Sequence, residues 1–155
     1  MQVTPLVRVQ AEDFDAGAET RRLTSGRKDV GALVTFTGLC RDEAGTLEAL
    51  ELEHYPGMAE AELTRIAEEA VHRWPLTGLS VIHRFGKIAP GENIVLVVAA
   101  SAHRRAAFEA ADFLMDFLKT RAPFWKKEHL RSGAGSTWVN TKAGDEEDAA
   151  RWSPT

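Results

Sequence analysis

An α+β fold is predicted by three features of the sequence. Short runs alternate apolar and polar residues, two longer stretches space their apolar residues for a helix, and the two kinds follow no strict strand–helix–strand rhythm. The whole chain, 1–155, reads as one domain, long enough to bury a core.

The elements follow in order. VRVQ, Val7 to Gln10, is a candidate first strand, and DAGAETRRLTSG a short helix stopped by Gly26. VGALVTFTG, Val30 to Gly38, is rich in β-branched residues and sets Ala32, Val34 and Phe36 on one face. LEALELEHY alternates Leu50, Leu52 and His54 against Glu51, Glu53 and Tyr55, as a half-exposed strand does. In PGMAEAELTRIAEEAVHRWP the residues Leu63, Ile66, Ala67, Ala70, Val71 and Trp74 form one helical stripe, which Pro75 ends. LSVIHRFG is a further strand, KIAPGEN a turn, and NIVLVVAAS a strand buried on both faces. Ser101 is a plausible N-cap for the helix AHRRAAFEAADFLMDFLKTRA, which should stop near Arg121 because Pro123 disfavours helical geometry before it. A hairpin at Ser132 to Ser136, a strand at TWVN and a short acidic helix at DEEDAARW complete the reading.

Composition narrows the function. A net charge of −4 argues against bulk nucleic-acid binding. The longest apolar run, Ile94 to Ala100, is too short to span a bilayer, and the N-terminus lacks a secretory layout. The single cysteine, Cys40, excludes an internal disulfide and suits a cytoplasmic protein. Zinc-like His/Cys spacing is absent, so neither a metal nor another cofactor is expected.

Against that acidic background KTRAPFWKKEH, Lys119 to His129, gathers three lysines and an arginine around Pro123, Phe124 and Trp125. A bland reading pairs Lys119 with Asp116 one turn back and leaves Lys126 and Lys127 in an exposed turn with the aromatics as a plug. The functional reading has aromatics shielding lysines held close together, which disfavours the charged form and makes a better proton donor or nucleophile. A second cation group, His103, Arg104 and Arg105 in SAHRR, stands at the start of the same helix, where free N–H groups attract anions. Phosphate cradle and plain solvated surface weigh about evenly there. Arg41 follows a strand end, where loops carry function, beside Asp42 and Glu43. Cys40 reads as a small buried hydrophobe, and His54, His72, His83 and His129 as structural.

Taken together, VTFTG, LEHYPGM, RWPL, VIHRFG, SAHRRAAFEA and DFLKTRAPFWKKE resemble, in that order, the motifs of the molybdopterin synthase large (catalytic) subunit family. The resemblance runs from about Gly31 to Trp152, and KTRAPFWK with EHYPGM is its most specific part. It implies an α/β hammerhead fold with an additional antiparallel β-sheet. It also implies a homodimer that binds a small ubiquitin-like sulfur-carrier subunit at each end, a heterotetramer in all. The implied reaction moves sulfur from the carrier's Gly-Gly thiocarboxylate tail to cyclic pyranopterin monophosphate, making the dithiolene of molybdopterin. Tail and phosphate are both anions, which would explain local cations on an acidic chain. By the same resemblance Lys119 and Lys126 are the catalytic pair, His103, Arg104 and Arg41 bind substrate, and Lys127 and Glu128 border the site. Leu39, Cys40 and Lys142 depart from the family pattern and inherit no role. Because the chain ends RWSPT, the carrier is expected to be a separate chain.

Two other classes compete. One is a non-catalytic module that binds a pterin or nucleotide phosphate at SAHRR. The other is a single-stranded RNA binder that stacks bases on Phe124 and Trp125, which the acidic balance disfavours. Helix geometry adds a constraint on the first reading. His103 and Lys119 would be about 24 Å apart along one helix, so a shared reaction would draw them from two chains of a dimer.

Overall fold

The computed structural model describes residues 3–131, 135–139 and 148–152. Among the described residues eight strands form two four-stranded sheets. The first has the order β1-β4-β6-β2, from β1 (Leu6–Gln10), β4 (Leu76–Arg84), β6 (Asn93–Ser101) and β2 (Ala32–Leu39). β1 lies parallel to β4, and the other pairings in this sheet are antiparallel. The second sheet has the order β5-β3-β7-β8, from β5 (Gly86–Ile88), β3 (Leu47–His54), β7 (Phe124–Leu130) and β8 (Ser136–Val139), and is antiparallel throughout. This mixed α+β architecture agrees with the class read from the sequence.

Among the described residues the longer helices are α1 (Ala16–Thr24), α2 (Met58–Arg73) and α3 (Arg104–Thr120), which accompany the sheets. One face of the first sheet is sealed by α2 and α3, whose Ile66, Ala67, Ala70, Ala107, Ala110 and Leu114 pack on Leu79, Val81, Val97 and Ala99. Its other face packs Ile82, Leu96 and Val98 under Leu23 of α1. The run of small side chains on α3 lets that helix lie close to the sheet. The second sheet has its own cluster, in which Leu50, Leu52 and Ile88 face Cys40 and Leu47.

Most elements fall where the sequence placed them, and the differences have physical reasons. The α2 helix begins at Met58 rather than Pro56, because Gly57 takes φ +86° and closes a Pro-Gly turn. The N-cap of α3 is His103. Ser101 remains in β6, its hydroxyl donating to the Pro75 carbonyl at 2.9 Å. Lys87 and Ile88, read as the start of a turn, join Gly86 in a short strand that pairs with β3. The segment holding Lys126 and Lys127, expected to turn, is an interior strand between β3 and β8. Of the C-terminal expectations, Asp148–Ala150 is helical, while residues 132–134, Asn140, Lys142 and 145–147 lie outside the described residues.

Candidate active site

The α3 helix delivers Lys119 to its last turn, where the side chain is exposed. The helix stops as the Arg121 N–H closes on the Phe117 carbonyl, and Pro123 turns the chain into β7. Along a strand, side chains alternate faces, so Phe124, Lys126 and Glu128 leave one side of β7 and Trp125, Lys127 and His129 the other. Register places Lys126 opposite Leu52, a wholly buried residue, which turns the Phe124 face toward the interior.

Two histidines line that interior face. His83, from β4 of the other sheet, stacks on Phe124 with centroids 3.9 Å apart and planes 13° apart. His54, from β3, lies 5.9 Å from Phe124 and 4.4 Å from Phe85. The His83 ring is buried, and its Nδ1 donates to the Arg84 carbonyl at 2.8 Å. Burial pushes its pKa down to about 4, and the charges of Lys126, Lys119 and His54 push the same way, against the Arg84 carbonyl. Lys119 of α3 and Lys126 of β7 thus both push this one buried ring toward its neutral form. Asp116 is not the partner of Lys119 that helix spacing suggested. Its nearly buried carboxylate accepts from the Arg151 guanidinium at 2.8 Å and from the Trp152 indole.

The opposite face of β7 makes a separate group. Trp125 meets Tyr55 edge-on at 5.0 Å, and the Lys127 ammonium lies 5.3 Å from the Trp138 ring. His129 bonds Glu51 at 2.7 Å, which holds that carboxyl below its ordinary range, with Lys87 and Lys127 adding to the effect. Phe124 and Trp125 are thus not a joint plug, and Lys127 points away from Lys126. Glu128 does share the Lys126 face.

His103 and Arg104 sit at the far end of α3. His103 makes no side-chain capping bond, so the first-turn amides keep their donor capacity for an incoming anion. A hollow of about 360 Å³ opens there, lined by His103, Arg104, Arg105, Phe108 and Glu109. Glu109 holds Arg105 at 3.7 Å and accepts from the Trp74 indole at 3.0 Å, while His103 and Arg104 line the hollow beside it. Within one chain this hollow and the lysines are separated by the length of the helix.

Arg41 lies in the loop that joins β2 to β3, exposed and paired with Glu43. That loop re-enters the second sheet at Leu47, opposite Leu130, which is about 13 Å along β7 from Lys126. Cys40 is buried, and burial chiefly pushes its thiol pKa up, as suits a packed hydrophobe rather than a nucleophile. Among the described residues no cluster of His, Cys, Asp or Glu could hold a metal ion, and no helix is long and apolar enough to cross a membrane. His83 and His54, read from the sequence as structural, both pack against Phe124; what marked them was an imidazole on the buried stripe of Leu50 and Leu52, and another inside a strand with no exposed face.

Comparison with known proteins places these features in a family. A family model described as "MoaE protein" matches residues 9–121. The "Molybdopterin synthase catalytic subunit" of Mesorhizobium japonicum is 69% identical over 150 residues, covering 97% of this chain and 94% of that protein. Among solved structures, molybdopterin cofactor biosynthesis protein E from Burkholderia multivorans superposes with a TM-score of 0.81 at 44% identity, covering 96% of this chain and 97% of its own. Molybdopterin synthase from Staphylococcus aureus gives 0.75 at 32% identity, over 85% and 95%.

Proposed function

The chain belongs to the MoaE protein family, whose members are catalytic subunits of molybdopterin synthase, and from that premise we propose how its residues serve the reaction. The activity is sulfur transfer in the building of the molybdenum cofactor. Lys119 and Lys126 are the groups that act on the reacting atoms. A thiocarboxylate tail, from a small ubiquitin-like carrier ending in Gly-Gly, supplies sulfur as a nucleophile. Its attack on an electrophilic carbon of cyclic pyranopterin monophosphate forms a carbon–sulfur bond as a carbon–oxygen bond at that carbon breaks; the electron pair leaves on the oxygen, which a lysine ammonium protonates, and an acyl–sulfur link joins carrier to pterin. Water then adds to the acyl carbon, and the carbon–sulfur bond of the link breaks. Carrier carboxylate leaves, and sulfur stays on the pterin. Two ammonium groups suit both halves: they attract the anionic tail, stabilise the oxyanion formed on water addition, and donate protons as charge develops. A second round completes the dithiolene.

The observation that supports this reading is the placement of Lys126 beside Phe124 on the interior face of β7, with Phe124 stacked 3.9 Å from the buried His83 and Lys119 in the last turn of the helix that leads into that strand. His103 and Arg104 bind the substrate phosphate at the α3 start, and Arg41 adds a cation at the rim. Those groups are too far from the lysines to share one pterin within a chain. The protein therefore works as a homodimer whose composite sites join the lysine end of one α3 to the cation end of the partner's, with one carrier per site in a cytoplasmic heterotetramer. Residues 1–155 act as one domain in that assembly. Lys127, turned toward Trp138, and Glu128 border the site and do not react. Incubating the purified chain with a thiocarboxylated carrier and the pterin precursor tests the reading: dithiolene product is expected, and its absence with all partners intact refutes it.

A further inference from the structure

His83 has no role in the chemistry above, yet its buried ring stacks on Phe124, two residues from Lys126 on the same face of β7. It belongs to β4 of the first sheet, whereas Phe124 and Lys126 belong to β7 of the second, so the ring bridges the two sheets. Phe124 is the first residue of β7, directly after the proline turn and opposite His54, while Lys126 is paired between Leu52 and Val139. The ladders set the height of both residues, which leave the same face two residues apart, so the seat of the phenyl ring shapes the wall along which the Lys126 side chain runs. His83 seats it by flat stacking at 3.9 Å, and His54 closes the far side at 5.9 Å.

The residue type follows from three demands on one position. The Arg84 carbonyl takes a hydrogen bond from Nδ1, which an aromatic hydrocarbon could not supply. Phe124 needs a flat partner, which an amide would not match. The lysines whose charge reaches the ring are Lys126 from β7 and Lys119 from α3, with the His54 imidazole from β3 also near Phe124, so a third cation there would repel both lysines. Imidazole meets all three demands provided it stays neutral, and its burial keeps it so.

We propose that His83 is a positioning residue for Lys126: a ring, anchored on the Arg84 carbonyl, that seats Phe124 and so shapes the interior face of β7 from which Lys126 acts. The proposal rests on the reading that these lysines perform the transfer. It gives His83 no contact with substrate and no proton to move.

Two measurements test it. In single-turnover sulfur transfer with thiocarboxylated carrier and the pterin precursor, His83→Asn, which keeps a hydrogen bond but loses the stack, should lower the rate up to about 10²-fold with precursor affinity unchanged. His83→Phe, which keeps the stack, should lose clearly less. Wild-type rates in His83→Asn, or equal losses in the two variants, would overturn the proposal. Independently of activity, the His83 imidazole is titrated by NMR in the wild type and in Lys126→Gln. Removing the cation should raise the protonation pH by about half a unit or more, whereas an unmoved titration overturns the proposed proximity even if neither His83 variant folds. Failure of the underlying reading shows differently, as undiminished transfer in Lys126→Gln itself.

Discussion

Mixing two inactive variants should restore activity, and the expected amount follows from the length of α3. His103 caps a helix that runs unbroken from Arg104 to Thr120, so His103 and Lys119 are sixteen residues apart. At 1.5 Å per residue their backbones are about 24 Å apart, and the accumulated rotation, roughly 160°, sets them on nearly opposite faces. Side chains built from bonds of about 1.5 Å close at most roughly half of that gap. If both ends serve one pterin, each site must combine two chains. Lys119→Ala and Arg104→Ala proteins are each assayed alone at limiting precursor, where both should be nearly inactive. Equal amounts are then mixed under conditions that exchange subunits. Half of the dimers become mixed, and each mixed dimer has one site with both native residues and one with neither. Dithiolene formation should therefore recover to about a quarter of the wild-type rate. If the mixture did no better than the average of its parents, with exchange verified by mass, each site would have to lie within a single chain.

Further outcomes follow from burial. The His83 ring protonates near 4 in the fold and at about 6.5 when unfolded. Its contribution to stability is complete above pH 6.5, and about 3 kcal/mol is lost as pH falls from 6.5 to 4, because the unfolded chain takes up a proton the fold resists. Urea titrations over that range should show the loss in the wild type and not in His83→Phe; parallel curves would contradict it. Leu114→Ala empties a wholly buried position between α3 and the first sheet and should cost about 2–5 kcal/mol by the same assay, with a loss below 1 contradicting the packing. Cys40 should resist alkylation in the folded protein and react freely in denaturant; rapid native labelling would count against its burial.

Periodicity made much of the fold legible. The Leu50, Leu52, His54 stripe, the α2 stripe through Trp74 and the apolar run of β6 each appear where spacing put them, because burial on one face is what spacing records. Single-residue chemistry was less legible. Ser101 is a good cap by type, yet β6 keeps it for pairing with β2 and β4 and for the Pro75 carbonyl. Lys126 and Lys127 read as one charged patch, and only strand geometry shows that they face opposite ways. Asp116 matched the helix spacing for Lys119, but Arg151 and Trp152, thirty-five and thirty-six residues on, take its carboxylate. Spacing along a chain carries no information about partners brought in by the tertiary fold. For the same reason His83 could not be joined to Phe124 before the two sheets were seen to meet there.

The most direct measurement of the central claim compares wild type, Lys119→Ala and Lys126→Ala in single-turnover transfer from a thiocarboxylated carrier to the pterin precursor, with folding and carrier binding checked in each. Each variant should lose about 10²- to 10⁴-fold in the rate of dithiolene formation while still binding the carrier. Wild-type rates in either folded variant would remove that lysine from the chemistry, and wild-type rates in both would contradict the account.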